Sequence, residues 1–75
     1  MNGWPPRYAI CVVNRGYAAS LELRKLYQVV PDESAARYEQ IRIIDESGED
    51  YLYPLAYFEP VDLPDPVAER VSQVA

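Results

Sequence analysis

The side chains able to do chemistry in this chain are mostly carboxylates and phenols, and they lack the partners that catalysis requires. There are twelve Asp and Glu, seven Tyr, one Cys and no His. Without imidazole the commonest general base and metal ligand is gone. Ser20, Ser34, Ser47 and Ser72 have no His to activate them, and Lys25 is the only lysine, so a serine or cysteine nucleophile has no base. Cys11 cannot form an internal disulfide. It sits in the longest apolar run, residues 8–13, where a reduced, buried and inert thiol is expected. Gly3, Gly16 and Gly48 are isolated and precede no Lys-Ser/Thr pair, so a phosphate-cradling loop has no support. Asp45, Glu46, Glu49 and Asp50 crowd one turn and supply the oxygen ligands that divalent cations favour. Their spacing does not match a twelve-residue calcium loop, and a solvated hairpin tip is the expected reading. Paired carboxylates for glycoside chemistry need a cleft that holds them about 5–10 Å apart, which so short a domain does not offer. The chain therefore reads as a non-enzyme, with no cofactor and no metal.

The elements that carry these residues must fit in 75 residues, of which 49% are hydrophobic and 25% charged. Chains this short bury only about 60–65% of the surface they expose when unfolded, so one core and one domain are expected. The apolar run at residues 8–13 is far short of the roughly 20 residues that span a bilayer. Residues 1–7, with Pro5 and Pro6, hold no apolar stretch after a basic patch, and a soluble cytoplasmic protein with no membrane association is expected. The net charge is −5, which at long range repels nucleic acid and anionic lipid. Residues 1–44 hold six bases and four acids, whereas residues 45–75 hold eight acids and only Arg70.

Short strands separated by turn chemistry follow from the pattern. Residues 8–13 are β-branched, aromatic and apolar at nearly every position, as a strand covered on both faces would be. Asn14, Arg15 and Gly16 supply a turn, and residues 17–24 an irregular excursion with Leu21 and Leu23 pointing inward. Residues 25–30 form a second strand halted by Pro31, and Asp32, Glu33 and Ser34 open one or two helical turns or an exposed loop. Residues 41–44 and 51–53 flank an acidic turn with Gly48 at its left-handed position. Pro54 ends the fourth strand, a 3₁₀ turn spans residues 55–57, and residues 58–61 close the sheet as an edge strand because of Pro60. Asp65 and Pro66 then start a short amphipathic helix with Val67, Val71 and Val74 on one stripe, docked or frayed.

The run Leu21-Glu22-Leu23-Arg24-Lys25-Leu26-Tyr27-Gln28-Val29 resembles the Leu-x-x-Gly-Lys-x-Tyr-x-Val signature of small bacterial SH3-like barrels. Residues 41–58 resemble the later strand, distal hairpin and Tyr-Pro-x-x-Tyr-Phe turn of that family, and Pro54-Leu55-Ala56-Tyr57 is similar in spacing to the Pro-Ser-Asn-Tyr turn of SH3 domains proper. The resemblance covers residues 8–61 and implies a mainly β fold, a small five-stranded SH3-like barrel, here with a short C-terminal α-helix. It divides the chain into an N-terminal extension (1–7), the barrel (8–61) and a helical tail (62–75). Arg24 stands where the family has Gly. SH3 domains lay a proline-rich peptide across loop tyrosines, a tryptophan, and the Pro and Tyr of the 3₁₀ turn. Pro54 and Tyr57 match the last two and Tyr17 or Tyr8 offers the first, but the only tryptophan, Trp4, precedes the first strand.

The function expected is a non-catalytic small binding module for an unknown protein or peptide partner, with Tyr8, Tyr17, Tyr53, Pro54 and Tyr57 as its binding surface. Against this stands core packing, because Tyr27, Tyr51 or Tyr53, Tyr57 and Phe58 are the largest contributors of buried area in so small a core. The alternative is a nucleic-acid-binding accessory protein whose Arg7, Arg15, Arg24, Lys25, Arg37 and Arg42 gather beside Tyr8 and Tyr17. A weak homodimer through edge strands is a third reading. Trp4-Pro5-Pro6 is expected to fold back over an open barrel end.

Overall fold

A strand flanked on both sides by other strands must be apolar on both faces if both faces are covered, and the first strand meets that condition. The computed structural model of the protein describes residues 6–73, so the expectations for Trp4 and Val74 lie outside the described residues. Strand β1 (Tyr8–Cys11) has Tyr8, Ala9 and Cys11 buried and Ile10 half-buried. It is the centre of a three-stranded antiparallel sheet between β2 (Leu26–Gln28) and β5 (Phe58–Val61). The register pairs Ala9 with Tyr27 on one side and with Pro60 on the other. Pro60 has no N–H to donate, and β5 is accordingly an edge strand.

A second sheet is the hairpin of β3 (Gln40–Ile44) and β4 (Asp50–Pro54), in register from Gln40 opposite Pro54 to Ile44 opposite Asp50. A single bridge between Val29 and Ile43 joins the two sheets. Strand pairing among the described residues therefore gives two open sheets, and the expectation of a closed barrel is corrected to that extent. The reason is length. β2 keeps only three residues, pairing β1 along Leu26–Gln28 and reaching β3 at Val29 alone. The core fills the space between the sheets with Ala9, Cys11, Leu21, Tyr27, Val29, Ile41, Ile43, Tyr53 and Phe58.

Helix α1 (Glu33–Arg37) begins where its sequence says it should. Asp32 is the N-cap, and its carboxylate accepts the Ala35 N–H at 3.2 Å. The turn Leu55–Tyr57 is 3₁₀ and separates β4 from β5. Helix α2 (Asp65–Gln73) departs from the valine-stripe expectation. Ala68 is buried against the molecule and the Tyr8 hydroxyl donates to its carbonyl at 3.2 Å, while Val67 is exposed. A small side chain lets the helix backbone approach the outer face of β1, where the branched Val67 would hold it off.

Val12, Val13 and Leu23 also differ from the sequence expectation, and Arg24 carries an unusual backbone. Val12 and Val13 leave the strand because their N–H groups both turn to the Tyr57 carbonyl, at 2.8 and 3.3 Å. Leu21 is buried, but Leu23 is exposed, because the excursion after Leu21 is a turn rather than an alternating strand. Arg24 has φ +64°, in the left-handed region. There its N–H donates to the Cys11 carbonyl at 2.7 Å, and the Cys11 N–H donates to the Lys25 carbonyl at 3.0 Å. A residue with a Cβ thus occupies a conformation that glycine favours.

Left-handed backbone costs a residue with a Cβ about 1–2 kcal/mol, and glycine gives back about 0.5–1 kcal/mol through its freer unfolded chain. Arg24→Gly is expected to raise the urea unfolding free energy by about 0.5–1 kcal/mol, with Arg24→Ala giving no gain. A glycine variant less stable than the parent would show that the Arg24 side chain outweighs its backbone strain.

Candidate functional site

The excursion between β1 and β2 presents the first site residue by backbone bonds of its own. Gly16, at φ +86°, turns the chain, and the Tyr17 N–H donates to the Asn14 carbonyl at 2.8 Å. The Tyr17 carbonyl accepts the N–H groups of Ser20 (2.9 Å) and Leu21 (2.8 Å), and the Asn14 side-chain amide donates to the Leu21 carbonyl at 3.0 Å. With Leu21 locked in the core, Tyr17 stands on a fixed base, the residue 40% exposed.

Three tyrosines then pack edge to face. The Tyr17 ring lies 5.0 Å from Tyr53 at 86° and 6.1 Å from Tyr57 at 71°. Tyr57 is half-buried and its hydroxyl donates to the Arg15 carbonyl at 2.9 Å, tying the 3₁₀ turn to the excursion 42 positions earlier. Pro54, half-buried, opens that turn. Of the expected binding surface, Tyr17, Pro54 and Tyr57 therefore reach solvent. Tyr53 and Tyr8 do not, and both are corrected to core positions. Tyr53 is 3% exposed beneath Tyr17, and Tyr8 lies under α2.

The acidic turn is the other departure. Asp45 is 7% exposed, and its carboxylate accepts the Ser47 N–H (2.9 Å), the Ser47 hydroxyl (2.5 Å) and the Tyr53 hydroxyl (2.6 Å). Burial alone would push this carboxyl up, but the bonds from Ser47 and Tyr53 together hold it below the usual carboxylate range. Glu46 accepts the Tyr27 hydroxyl at 2.5 Å and pairs with Lys25 at 2.6 Å, and the lysine in turn holds its carboxyl low. The Tyr27 oxygen also accepts the Glu22 N–H at 2.7 Å. Burial, and then the Asp45 carboxylate, push the Tyr53 phenol up to about 12. The solvated tip expected at residues 45–50 thus describes Glu49 and Asp50 but not Asp45, which belongs to the core. Among the described residues no set of three or more Cys, Asp and Glu side chains is grouped as a metal would need. Cys11 is buried, its thiol donates to the Val13 carbonyl at 3.2 Å, and burial pushes its pKa up, as expected of an inert thiol.

Two of the bases of the nucleic-acid reading, Lys25 and Arg42, are held in ion pairs. Arg42 binds Asp32 through Nε at 2.9 Å and lies 3.7 Å from Asp50, while Lys25 is held by Glu46 and lies 3.8 Å from Glu22. Arg7 sits over the Tyr8 ring at 6.0 Å, and Arg15, Arg24 and Arg37 are exposed. No protein family, curated protein or solved structure matches the chain. No helix among the described residues is long and apolar enough to cross a membrane.

Two residues of the site are missing from the sequence reading as surface positions, Tyr51 and Leu52, both exposed. Period two places Tyr51 on the same face as Tyr53, so alternation alone assigns both inward, and only the extent of the opposing excursion separates them.

Removing the Asp45 carboxylate leaves the Tyr53 hydroxyl and the Ser47 donors without it. Asp45→Ala is expected to cost about 2–3 kcal/mol in chemical denaturation, since a bond to a charged group contributes about 1.5–3 kcal/mol. Asp45 and Glu46 have folded pKa values below their unfolded ones, so the stability they contribute is present above about pH 4–5 and lost as pH falls further. Asp45→Ala should flatten that acid limb. An unaltered slope in a pH series of melts would place the acid sensitivity elsewhere.

Proposed function

We propose that this chain is a non-catalytic binding module that holds a protein or peptide partner on the face carrying Tyr17, Pro54 and Tyr57. The observation that carries this reading is the pair of solvent-reaching rings of Tyr17 and Tyr57, 6.1 Å apart and braced by the Tyr57 to Arg15 hydrogen bond. Aromatic side chains already fixed before a ligand arrives lose little entropy on binding, which is why such residues dominate protein interfaces.

An SH3-like strand arrangement left open as two sheets, in the sense of the sequence resemblance, is the finer fold reading. Support comes from the order β5–β1–β2, the bridge onto β3–β4, and a 3₁₀ turn between β4 and β5. Arg24 in a left-handed turn just before β2 agrees with the glycine of the family signature. The surface lacks the tryptophan that SH3 domains place across from the Pro and Tyr of that turn, because the only tryptophan is Trp4. The partner inferred is accordingly a short segment with aromatic or proline side chains, met in the cytoplasm. The nucleic-acid alternative is disfavoured by a net charge of −5 and by ion pairs on Lys25 and Arg42.

Panning the full chain against a random twelve-residue peptide library tests the proposal. Enriched peptides are expected to lose about tenfold in affinity with Tyr17→Ala and to change less than about twofold with Arg37→Ala. A library that yields no binder, or binders indifferent to Tyr17→Ala in a variant that still melts cooperatively, would refute it.

A further inference from the structure

Tyr51 is a side chain that its strand points inward and that is only half covered. It shares a face of β4 with Tyr53, and its cross-strand partner Ile43 is fully buried, yet Tyr51 is 50% exposed. β4 is the outer strand of its sheet, so the ring has β3 on one side and no paired strand on the other. Between it and the excursion lies an open groove of about 380 Å³ lined by Tyr17, Ser20, Asp45, Tyr51, Leu52 and Tyr53. Two tyrosines with exposed surface form its walls, and the mostly buried Asp45 and its partner Ser47 are in its lining.

The electrostatics of the groove are one-sided. No Arg or Lys lines it. Glu49, whose carboxylate accepts the Tyr51 hydroxyl at 3.4 Å, adds a second negative charge to that ring. Neither Asp45 nor Glu49 has an ion-pair partner among the described residues, since Lys25 is held by Glu46 and Arg42 by Asp32 and Asp50. Nearby acids, Glu49 foremost, also push the Tyr51 phenol up.

We propose that this groove receives an arginine side chain from an extended basic segment of a partner protein. The inference rests on the binding-module reading and names the chemistry of the guest. A flat guanidinium stacks on tyrosine faces and sheds water more readily than an ammonium, so the rings of Tyr17 and Tyr51 favour arginine over lysine. The Glu49 carboxylate accepts its N–H groups, and the buried charge of Asp45 attracts it from below. Nucleic acid is repelled by the same charges. The guest adds no covalent chemistry, and complementarity of charge selects it.

The test uses the full chain, labelled with ¹⁵N, and two capped peptides, Gly-Ser-Arg-Gly-Ser-Arg-Gly-Ser and its lysine counterpart. With the arginine peptide, amide shifts are expected at Tyr17, Ser47, Tyr51 and Leu52. Affinity should fall about fivefold or more in Tyr51→Ala and about threefold in Glu49→Gln, and the lysine peptide should bind several-fold more weakly. Raising salt from about 50 to about 500 mM should weaken binding further. Both substituted residues are exposed, and a parental melting temperature certifies each variant. Shifts absent at millimolar peptide, lysine binding equal to arginine, or affinity unchanged in both variants would overturn the inference. If the arginine peptide fails while library-selected peptides still require Tyr17, this inference falls alone. If Tyr17-dependent binding is absent as well, the module reading falls with it.

Discussion

A buried phenol must find an acceptor, and in this molecule that requirement decides which distant segments are tied together. In the core the rings of Tyr27, Tyr53 and Phe58 supply volume beside Leu21, Val29, Ile41 and Ile43. Each tyrosine brings a hydroxyl that costs free energy if left unbonded away from water. Tyr8 reaches the Ala68 carbonyl 60 positions away and seats α2. Tyr27 reaches Glu46 across 19 positions and holds the hairpin turn beside β2. Tyr53 reaches Asp45 within the hairpin, and Tyr57 reaches the Arg15 carbonyl and fixes the excursion. No buried side-chain polar atom among the described residues is left without a partner. The sheets are short and joined by one bridge, so these four hydroxyls complete what backbone pairing leaves open.

The same ties explain why the backbone tolerates strain where it does. Arg24 is left-handed with its N–H already bound to the Cys11 carbonyl, at the point where the excursion must rejoin β1 as β2. Glu39, at φ +57°, does the equivalent between α1 and β3, and its carbonyl accepts the Leu55 N–H at 2.8 Å. Both positions lie next to strands that pair in fixed register, so the surrounding ladders hold a conformation the residues would not choose alone.

Much of this was legible in the chain. Local chemistry marks the Asp32 cap, the positive φ of Gly48, the 3₁₀ turn after Pro54 and the edge position of Pro60, because each depends on a side chain and its immediate neighbours. The errors arise where two correct local readings compete. Leu21 and Leu23 alternate alike, but only one can enter a core that the excursion touches once. Val67 is more apolar than Ala68, but contact with β1 favours the residue that lets the helix come close. Tyr17, Pro54 and Tyr57 were singled out through the resemblance to SH3 domains, and all three reach solvent. Tyr53 and Tyr51 were not separable by strand period, because what distinguishes them is a ring placed above one of them from 36 positions earlier.

The charge of the molecule then acquires a cause inside the fold. Asp45 and Glu46 look like solubilising acids on a hairpin tip, but their carboxylates are the acceptors for two core tyrosines. Replacing either with a base would leave a core phenol without its acceptor, and at position 46 would set a second cation against Lys25. Part of the negative field over the hairpin, the charge of Asp45, is therefore a consequence of packing tyrosine in a small core. A surface beside it inherits that sign whatever it binds, and with Tyr17 and Tyr51 standing there the field favours cationic guests over phosphate backbones.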